Sequence, residues 1–465
     1  MSTATKTVKK NYEMDMCSGS LFKKMLSFAL PVMFSGVLQL LFNAADVVVV
    51  GRFAGDDCLA AVGSVGSLVN LLTNLFVGLS IGTNVLAARL YGAKKDEELS
   101  KVVHTSMLLS VFSGIILTVI GVVAAEKILI LMQTPEKILP LSTLYLRIYF
   151  LGMTATMVYN FGSAILRAVG DTRRPLYYLS IAGVINVCLN LVLVIVFHLD
   201  VAGVAIATAV SQTVSAVLVV RCLMRSQSGI RLDLRKLCIK KRIFLQVLRI
   251  GLPAGFQGMV FSFSNMIIQS SVNSFGETVV AGNSAASNLE GFVYIALNAF
   301  YQTTLSFVSQ NYGAGNHKRI TRAVLLGEGM VICSGLVLGF LGFFFGDSLL
   351  TIYSGSSAVI AVGVRRLSII CVTYFLCGAM DVMVGALRGI GYSVLPMMIS
   401  LIGVCGVRIL WIFTVFRIER FHTLETVYMS YPITWSISIA VLTVSFIIAR
   451  RRMLKKQPRP IEDKN

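Results

Sequence analysis

Charged residues are scarce in this chain. Asp, Glu, Lys and Arg make up 14% of its 465 residues, whereas 56% of the residues are hydrophobic. Soluble domains typically carry about 25% charged residues. A water-soluble fold of this size could not bury so much apolar surface, because the ratio of surface to volume falls only slowly with chain length. The composition therefore excludes a soluble globular protein and predicts one that is embedded in lipid.

The sequence signatures of catalysis are also missing. The chain contains no G-x-x-x-x-G-K-[ST] phosphate loop and no H-E-x-x-H metal motif. Its four histidines do not cluster, and none of its nine cysteines forms a C-x-x-C pair. No Ser/His/Asp arrangement can be argued either. We therefore expect a protein that is not an enzyme and that needs no cofactor.

The N-terminal segment does not have the pattern of a cleavable signal peptide. Positions 1–24 are polar and contain several lysines. The apolar run that follows is too long for a signal sequence and lacks a small-residue cleavage site. We expect this run to be the first transmembrane helix.

Twelve apolar runs are long enough to cross a bilayer, which takes about 20 residues of helix. The first six are 25–50, 59–88, 103–125, 143–166, 175–197 and 201–222. The last six are 244–272, 279–309, 322–346, 367–387, 394–416 and 427–449. The predicted fold is an all-α polytopic membrane protein.

The basic residues that give the net charge of +19 are concentrated in alternate loops. The N-terminus, the 221–249 connection and the C-terminal tail are strongly basic, whereas the intervening loops are near neutral or acidic. Arg365 and Arg366 are the exception. This pattern predicts a multi-pass protein of the inner or plasma membrane with both termini in the cytoplasm. It explains the charge by the lipid bilayer and not by nucleic acid.

The chain contains an internal repeat, in which motifs of its first half recur in the same order and at nearly constant spacing in its second half. The matching landmarks are Leu30-Pro31 with Leu252-Pro253, Tyr91-Gly92-Ala93 with Tyr312-Gly313-Ala314, and Leu166-Arg167 with Leu387-Arg388. Because each half holds an even number of spans, both halves insert the same way up. We predict two six-helix halves related by a pseudo-two-fold axis along the membrane normal, enclosing a midplane cavity.

The predicted organisation has five parts. They are a cytoplasmic N-terminal segment (1–24), the first half (25–222), a basic cytoplasmic linker (223–243), the second half (244–449) and a basic cytoplasmic tail (450–465).

Asp46 is the most informative polar residue of the first half. A charge at the bilayer centre costs roughly 2.5–3.5 kcal/mol, so we expect its carboxylate to face the cavity and to carry H⁺ or Na⁺. Asn43 shares its helical face, and Asn186 and Asn190 share another. The alternatives are that Asp46 is simply hydrated near the extracellular side, and that the asparagines hydrogen-bond neighbouring helices.

Further in-span polar residues are candidates for the substrate cavity. They are Asn160, Gln257, Asn265, Glu290 and Asp381. Glu290 is the best candidate for a cavity charge in the second half. For Asp381 the favoured interpretation is a structural pair with Arg408.

Several of these motifs together resemble the multidrug and toxic compound extrusion (MATE) family over almost the whole chain. They are Leu30-Pro31, Asn43-x-x-Asp46-x-x-x-x-Gly51, Arg89-Leu90-Tyr91-Gly92-Ala93, the segment from Leu166 to Pro175, Ser309–Gly315 and Leu387-Arg388-Gly389-x-Gly391.

The resemblance implies a secondary antiporter that exports cationic or amphipathic drugs in exchange for H⁺ or Na⁺, with Asp46 as the coupling carboxylate and Pro31 as a bend in the first helix. Some members carry an acid where this chain has Asn190. Because an amide cannot titrate, Asp46 is expected to act without a second carboxylate there. The expected partners are small organic, cationic substrates and the bilayer, and we expect a monomer.

The alternative function is a lipid-linked oligosaccharide flippase of the same superfamily. A flippase should hold several basic residues in its cavity to bind a pyrophosphate. On the sequence, Arg408 is the main basic residue inside a span, which disfavours this alternative.

Overall fold

The computed structural model describes residues 12–455, and these residues form helices and loops with no β-strand. The predicted basic positions Lys6, Lys9, Lys10 and Lys456 lie outside the described residues. The helices of the first half are α1 (Leu21–Phe53), α2 (Asp56–Gly92), α3 (Asp96–Leu131), α4 (Leu139–Leu151), α5 (Met153–Ala168), α6 (Arg173–Leu191) and α7 (Asp200–Met224).

The second half repeats this order with more interruptions. Its helices are α8 (Lys241–Asn273), α9 (Glu277–Gly313), α10 (His317–Phe344), α11 (Gly346–Leu350), α12 (Ser357–Arg366), α13 (Val372–Gly389), α14 (Val394–Ser400), α15 (Val407–Phe413) and α16 (Leu424–Lys455). Short π-helical turns continue α6, join α12 to α13 and join α14 to α15.

Ten spans of the described chain are long and apolar enough to cross a membrane by themselves. The bent pair α4 and α5, with an angle of 44° between them, makes an eleventh. The twelfth predicted span is α9, which has 37 residues but carries polar side chains such as Asn283, Glu290 and Gln302 that hydrogen-bond within the bundle. The composition of α9 therefore does not identify it as a span, but its place in the bundle does.

The helices extend beyond the predicted runs. Predicted span 25–50 is Leu21–Phe53 in the structure, and predicted span 279–309 is Glu277–Gly313. Hydropathy detects only the part of a helix that lies in hydrocarbon, whereas backbone hydrogen bonding continues into the polar interface.

The predicted repeat is visible in the backbone. Gly170 follows α5 with a φ of 90°, and Gly391 follows α13 with a φ of 105°. The two glycines are equivalent positions of the repeat, and both need the left-handed conformation that glycine adopts without steric cost. The two halves therefore turn in the same way at equivalent places.

The halves meet where α2 crosses α8. A Cβ atom added to Gly78 would lie 2.2 Å from the backbone nitrogen of Gly255, and one added to Gly82 would lie 2.5 Å from the carbonyl oxygen of Val247. Small residues at such a crossing allow the two backbones to touch. This contact brings the halves together over one part of their length.

One end of the bundle is held shut by a pair of equivalent hydrogen bonds between the halves. Arg89 donates to the carbonyl oxygen of Gly389 at 2.9 Å, and Gln310 donates to that of Ala168 at 2.7 Å. The two donors are equivalent positions of the repeat, and so are the two acceptors. We call this end the closed end.

The described part of the N-terminal segment crosses the closed end. The Met14 amide donates to the Val169 carbonyl oxygen of the first half at 2.9 Å. The Met16 amide donates to Gln310 Oε1 at 3.1 Å, and Arg319 donates to the Met16 carbonyl oxygen at 3.0 Å. The segment therefore links both halves at the end that they close.

Toward the other end the halves separate. Cβ atoms added to Gly63 or Gly66, in the first turns of α2, would meet no atom within 4 Å. Residues of both halves, between Asn70 and Asn84 on α2 and between Ala254 and Phe261 on α8, line a cavity.

Replacing Gly78 tests the backbone contact between the halves. In Gly78→Ala, the added methyl group must displace Gly255, so we expect the free energy of unfolding to fall by about 1–3 kcal/mol, as in overpacked cores. The measurement is the melting temperature of the detergent-purified protein. Gly66→Ala is the matched control: it meets open space, and alanine favours the helix by about 1 kcal/mol. A Gly78→Ala protein that melts at or above the wild type would contradict the contact.

Candidate functional site

A polar cluster lies inside the first half, between α1, α6 and α7. We call Asp46, Asn186, Asn190 and Thr208 the Asp46 cluster. Asn190 donates to one oxygen of the Asp46 carboxylate, and the Thr208 hydroxyl donates to the other at 3.3 Å. Asn186 joins the two donors, with 3.4 Å from its amide nitrogen to Thr208 Oγ1 and 3.4 Å from its oxygen to the Asn190 amide nitrogen. The structure thus brings together three of the four predicted ion-coupling residues.

Local packing positions this cluster. Asn186 and Asn190 lie one turn apart on the same face of α6, 4% and 0% exposed. Gly183, on the preceding turn, allows the Phe42 ring of α1 to approach, since a Cβ atom there would lie 1.8 Å from that ring. The close approach of α1 places Asp46 opposite the two amides.

The carboxyl group of the cluster has no basic partner. Among the described residues no lysine, arginine or histidine forms an ion pair with Asp46. The side-chain oxygen of Asn190 is buried and accepts no hydrogen bond. Carboxylate, amide and hydroxyl oxygens are the ligands of hard cations, and the carboxylate can also take up a proton. The arrangement can therefore hold H⁺ or Na⁺.

The relation of Asp46 to the central cavity differs from the prediction. Asp46 is not among the cavity-lining residues, because its carboxylate turns toward the donors on α6 and α7. Asn43 does line the cavity and makes no hydrogen bond to the cluster. Sequence reasoning missed Thr208, since a threonine within the apolar run of α7 carries no signal of its own.

The central cavity has a volume of about 600 Å³ and is lined by both halves. Its wall is rich in amide and tyrosine side chains. Of the tentative cavity residues, Asn160, Gln257 and Asp381 line it, whereas Asn265 and Glu290 do not.

Glu290 forms a buried ion pair instead of contributing a cavity charge. Its two carboxylate oxygens accept hydrogen bonds from Arg366 at 2.8 and 2.7 Å. Glu290 is 4% exposed and Arg366 6% exposed, and Arg366 also donates to Asn283 at 2.5 Å. Arg366 was one of the two arginines that did not fit the pattern of loop charges. The ion pair explains it, because Arg366 ends α12 inside the protein. Arg365 pairs with Glu425.

The favoured pair of Asp381 with Arg408 is wrong for this structure. No ion pair joins them in the described part of the chain. The Arg408 guanidinium lies 4.0 Å from the centre of the Tyr431 ring and donates to the Thr434 hydroxyl at 3.2 Å. A cation held over an aromatic ring is stabilised by the electrons of its face, and Arg408 makes this contact in place of the predicted ion pair. Asp381 remains on the cavity wall.

Two other arginines line the cavity, Arg167 and Arg388. The predicted spans 143–166 and 367–387 end just before these two residues, but α5 and α13 extend far enough to carry them in their last turns. The repeated Leu-Arg pair was the signal that could have found them. The sequence argument that Arg408 is the main basic residue within the spans is therefore wrong.

Replacing Glu290 tests whether it is structural. Glu290→Gln leaves Arg366 buried without a counter-charge, and breaking a buried pair in this way costs about 3–5 kcal/mol. We expect a strongly lowered melting temperature of the purified protein. Glu126→Gln, which breaks the exposed pair with Arg147, is the control and should cost less than about 1 kcal/mol. Normal stability of Glu290→Gln with altered transport would instead support a cavity role.

Comparison with known proteins agrees with this architecture. A sequence model of the MatE family matches residues 31–192 and again residues 253–414. The probable multidrug resistance protein YoeA of Bacillus subtilis is 28% identical, with 91% of this chain and 93% of that protein covered. An FAD transporter of Shewanella oneidensis is 23% identical, with 74% and 77% covered.

The same fold occurs among solved structures. An outward-facing multidrug resistance transporter of the MATE family superimposes with a TM-score of 0.89 at 21% identity, covering 96% of this chain and all of that one. The family match identifies a membrane transporter and not an enzyme. The chain therefore belongs to the MatE family of multidrug and toxic compound extrusion transporters.

Proposed function

We propose that this transporter exports small organic compounds across the cell membrane in exchange for H⁺ or Na⁺, with the Asp46 cluster as the ion site. The observation that carries this proposal is the Asp46 carboxylate, which neutral donors hold and no basic side chain of the described chain neutralises. A permanently ion-paired carboxylate could not exchange a cation at low cost. An unpaired one in a span gains from binding H⁺ or Na⁺.

Coupling requires that the ion favours one conformation over the other, because a ligand with equal affinity for both shifts nothing. Helix α1 connects the ion site to the cavity. Asn43 faces the cavity, and Asp46 lies in the cluster one turn further along. Pro31 interrupts the hydrogen bonds of the same helix and allows it to bend. Ion binding that changes the packing of α1 would therefore change the cavity wall.

The proposed mechanism is alternating access. The two halves rock about their contact, opening the closed end while the other end closes. The loop charges support a cytoplasmic location of both termini, and this orientation places the closed end on the cytoplasmic side. The five-part organisation and a monomeric state belong to the same proposal.

The cargo is less constrained than the coupling. YoeA is named as a probable multidrug resistance protein and another relative as an FAD transporter. Since FAD is not a cation, the compounds for which relatives are named are not limited to cations. The lipid-linked sugar flippase is the second candidate, since Arg167 and Arg388 supply basic residues that its cavity would need.

Replacing Asp46 tests the coupling. The measurement is dye efflux from proteoliposomes under an imposed pH gradient and, separately, an imposed Na⁺ gradient, with ethidium as the cationic dye and carboxyfluorescein as the anionic one. For the dye that the wild type moves, Asp46→Asn should abolish gradient-driven efflux, because an amide cannot take up a proton and is a weaker cation ligand. The gradient that drives the wild type identifies the ion.

Asp57→Asn is the matched control, since Asp57 is an exposed carboxylate that pairs with Lys137 at 2.8 Å. It should transport like the wild type. Efflux by Asp46→Asn at the wild-type rate would contradict the ion site, and a folded wild type that moves neither dye under either gradient would contradict the antiport proposal.

A further inference from the structure

The positive and negative side chains that line the central cavity are unequal in number. In the part of the chain that the structure describes, three charged side chains line the cavity: Arg167, Arg388 and Asp381. Two positive charges and one negative charge leave a net positive wall. A cavity that binds only organic cations would be expected to show the opposite balance, because a charged cleft concentrates ligands of the opposite sign.

The two arginines occupy equivalent positions in the two halves. Arg167 lies in the last turn of α5, and Arg388, its counterpart in the repeat, lies in the last turn of α13. Both helices end near the closed end, next to the carbonyl oxygens that accept from Gln310 and Arg89. Each half therefore contributes one guanidinium to the base of the cavity.

Arg388 is held in place by neutral groups, and no ion pair of the described chain involves it. It is 4% exposed and donates to Tyr301 Oη at 2.8 Å and to Gln257 Oε1 at 2.6 Å, both of which are neutral acceptors. Its Nε atom is buried and has no hydrogen-bond partner. A buried charge without an ion-pair partner is costly, and the planar guanidinium of an arginine on the cavity wall is suited to a planar oxyanion.

Arg167 has fewer interactions than Arg388. Among the described residues it forms neither an ion pair nor a hydrogen bond, and Tyr159 is its electrostatic neighbour. Asp381 does not serve either arginine as a partner within ion-pairing distance. It precedes Arg388 by about two turns of α13, so it lies about 10 Å further along the helix.

We propose that the base of the central cavity binds the anionic group of the transported compound, a phosphate or a carboxylate, between Arg167 and Arg388. The inference rests on the proposed export function, because it assigns this cavity to the cargo. Tyr294, Phe261 and the amides above the base then contact the organic part of the compound. Asp381, toward the other end, would receive a positively charged or hydrogen-bond-donating part. The cargo is thus an organic anion or a zwitterion.

The test compares two dyes with the same xanthene ring system, fluorescein as the anion and rhodamine 6G as the cation. Equilibrium binding to purified full-length protein is followed by fluorescence anisotropy, without any ion gradient. We expect the wild type to bind fluorescein more tightly than rhodamine 6G. Loss of a charge-assisted contact should weaken fluorescein binding about 10- to 100-fold in Arg167→Gln and in Arg388→Gln, with rhodamine 6G binding unchanged or stronger.

Two further variants keep the test decisive. Arg388→Gln removes hydrogen bonds within the protein and can destabilise it, so Arg167→Gln, which breaks none among the described residues, carries the conclusion if Arg388→Gln does not fold. Arg147→Gln removes an exposed arginine that pairs with Glu126 away from the cavity and should bind fluorescein like the wild type. Wild-type fluorescein affinity in Arg167→Gln, or a preference of the wild type for rhodamine 6G, would overturn the proposal.

A binding measurement in nanodiscs that contain phosphatidic acid distinguishes a lipid phosphate from a soluble organic anion as the ligand. Displacement of fluorescein by this lipid would support a lipid phosphate as the ligand, and undiminished binding would support a soluble organic anion. This test separates the inference from the export function. Arginine-dependent binding without gradient-driven efflux would contradict only the antiport proposal, and efflux of rhodamine 6G with no arginine dependence would contradict only the anion site.

Discussion

The direct backbone contact between α2 and α8 determines the architecture of this transporter. Because Gly78, Gly82 and Gly255 have no side chains, the two halves touch near the closed end and diverge beyond it. The divergence creates the central cavity. The pseudo-symmetric hydrogen bonds of Arg89 and Gln310 complete the closure, and these few polar contacts can be exchanged without disrupting the core of either half.

In the proposed mechanism, the ion and the cargo occupy different places. The Asp46 cluster lies within the first half, whereas the cavity lies between the halves. Helix α1 reaches both, so a change in its packing can transmit ion binding to the cavity wall. Because the cargo does not have to bind the carboxylate that holds H⁺ or Na⁺, separate sites also allow the cargo to carry a negative charge. The Glu290–Arg366 pair, by contrast, stabilises the second half from inside.

Much of the fold could be predicted from the sequence. Apolar runs, loop charges and the internal repeat specify the membrane location, the spans and the two halves, since lipid imposes these patterns directly. Asp46, Asn186 and Asn190 could be recognised because polar groups within spans are costly and rare. Side-chain pairing could not be predicted, because it depends on which helix faces meet. Glu290 pairs with Arg366, Arg408 packs on Tyr431, and Arg167 and Arg388 reach the cavity through the extra length of their helices.

Distances between spin labels on the two halves provide the most direct test of alternating access. In a variant without native cysteines, one label pair at exposed positions 95 and 318 reports on the closed end, and another at positions 57 and 277 reports on the opposite end. When the coupling ion and cargo are varied, we expect the first distance to lengthen as the second shortens. Two distances that stay constant, or that change in the same direction during active transport, would contradict rocking of the halves about their contact.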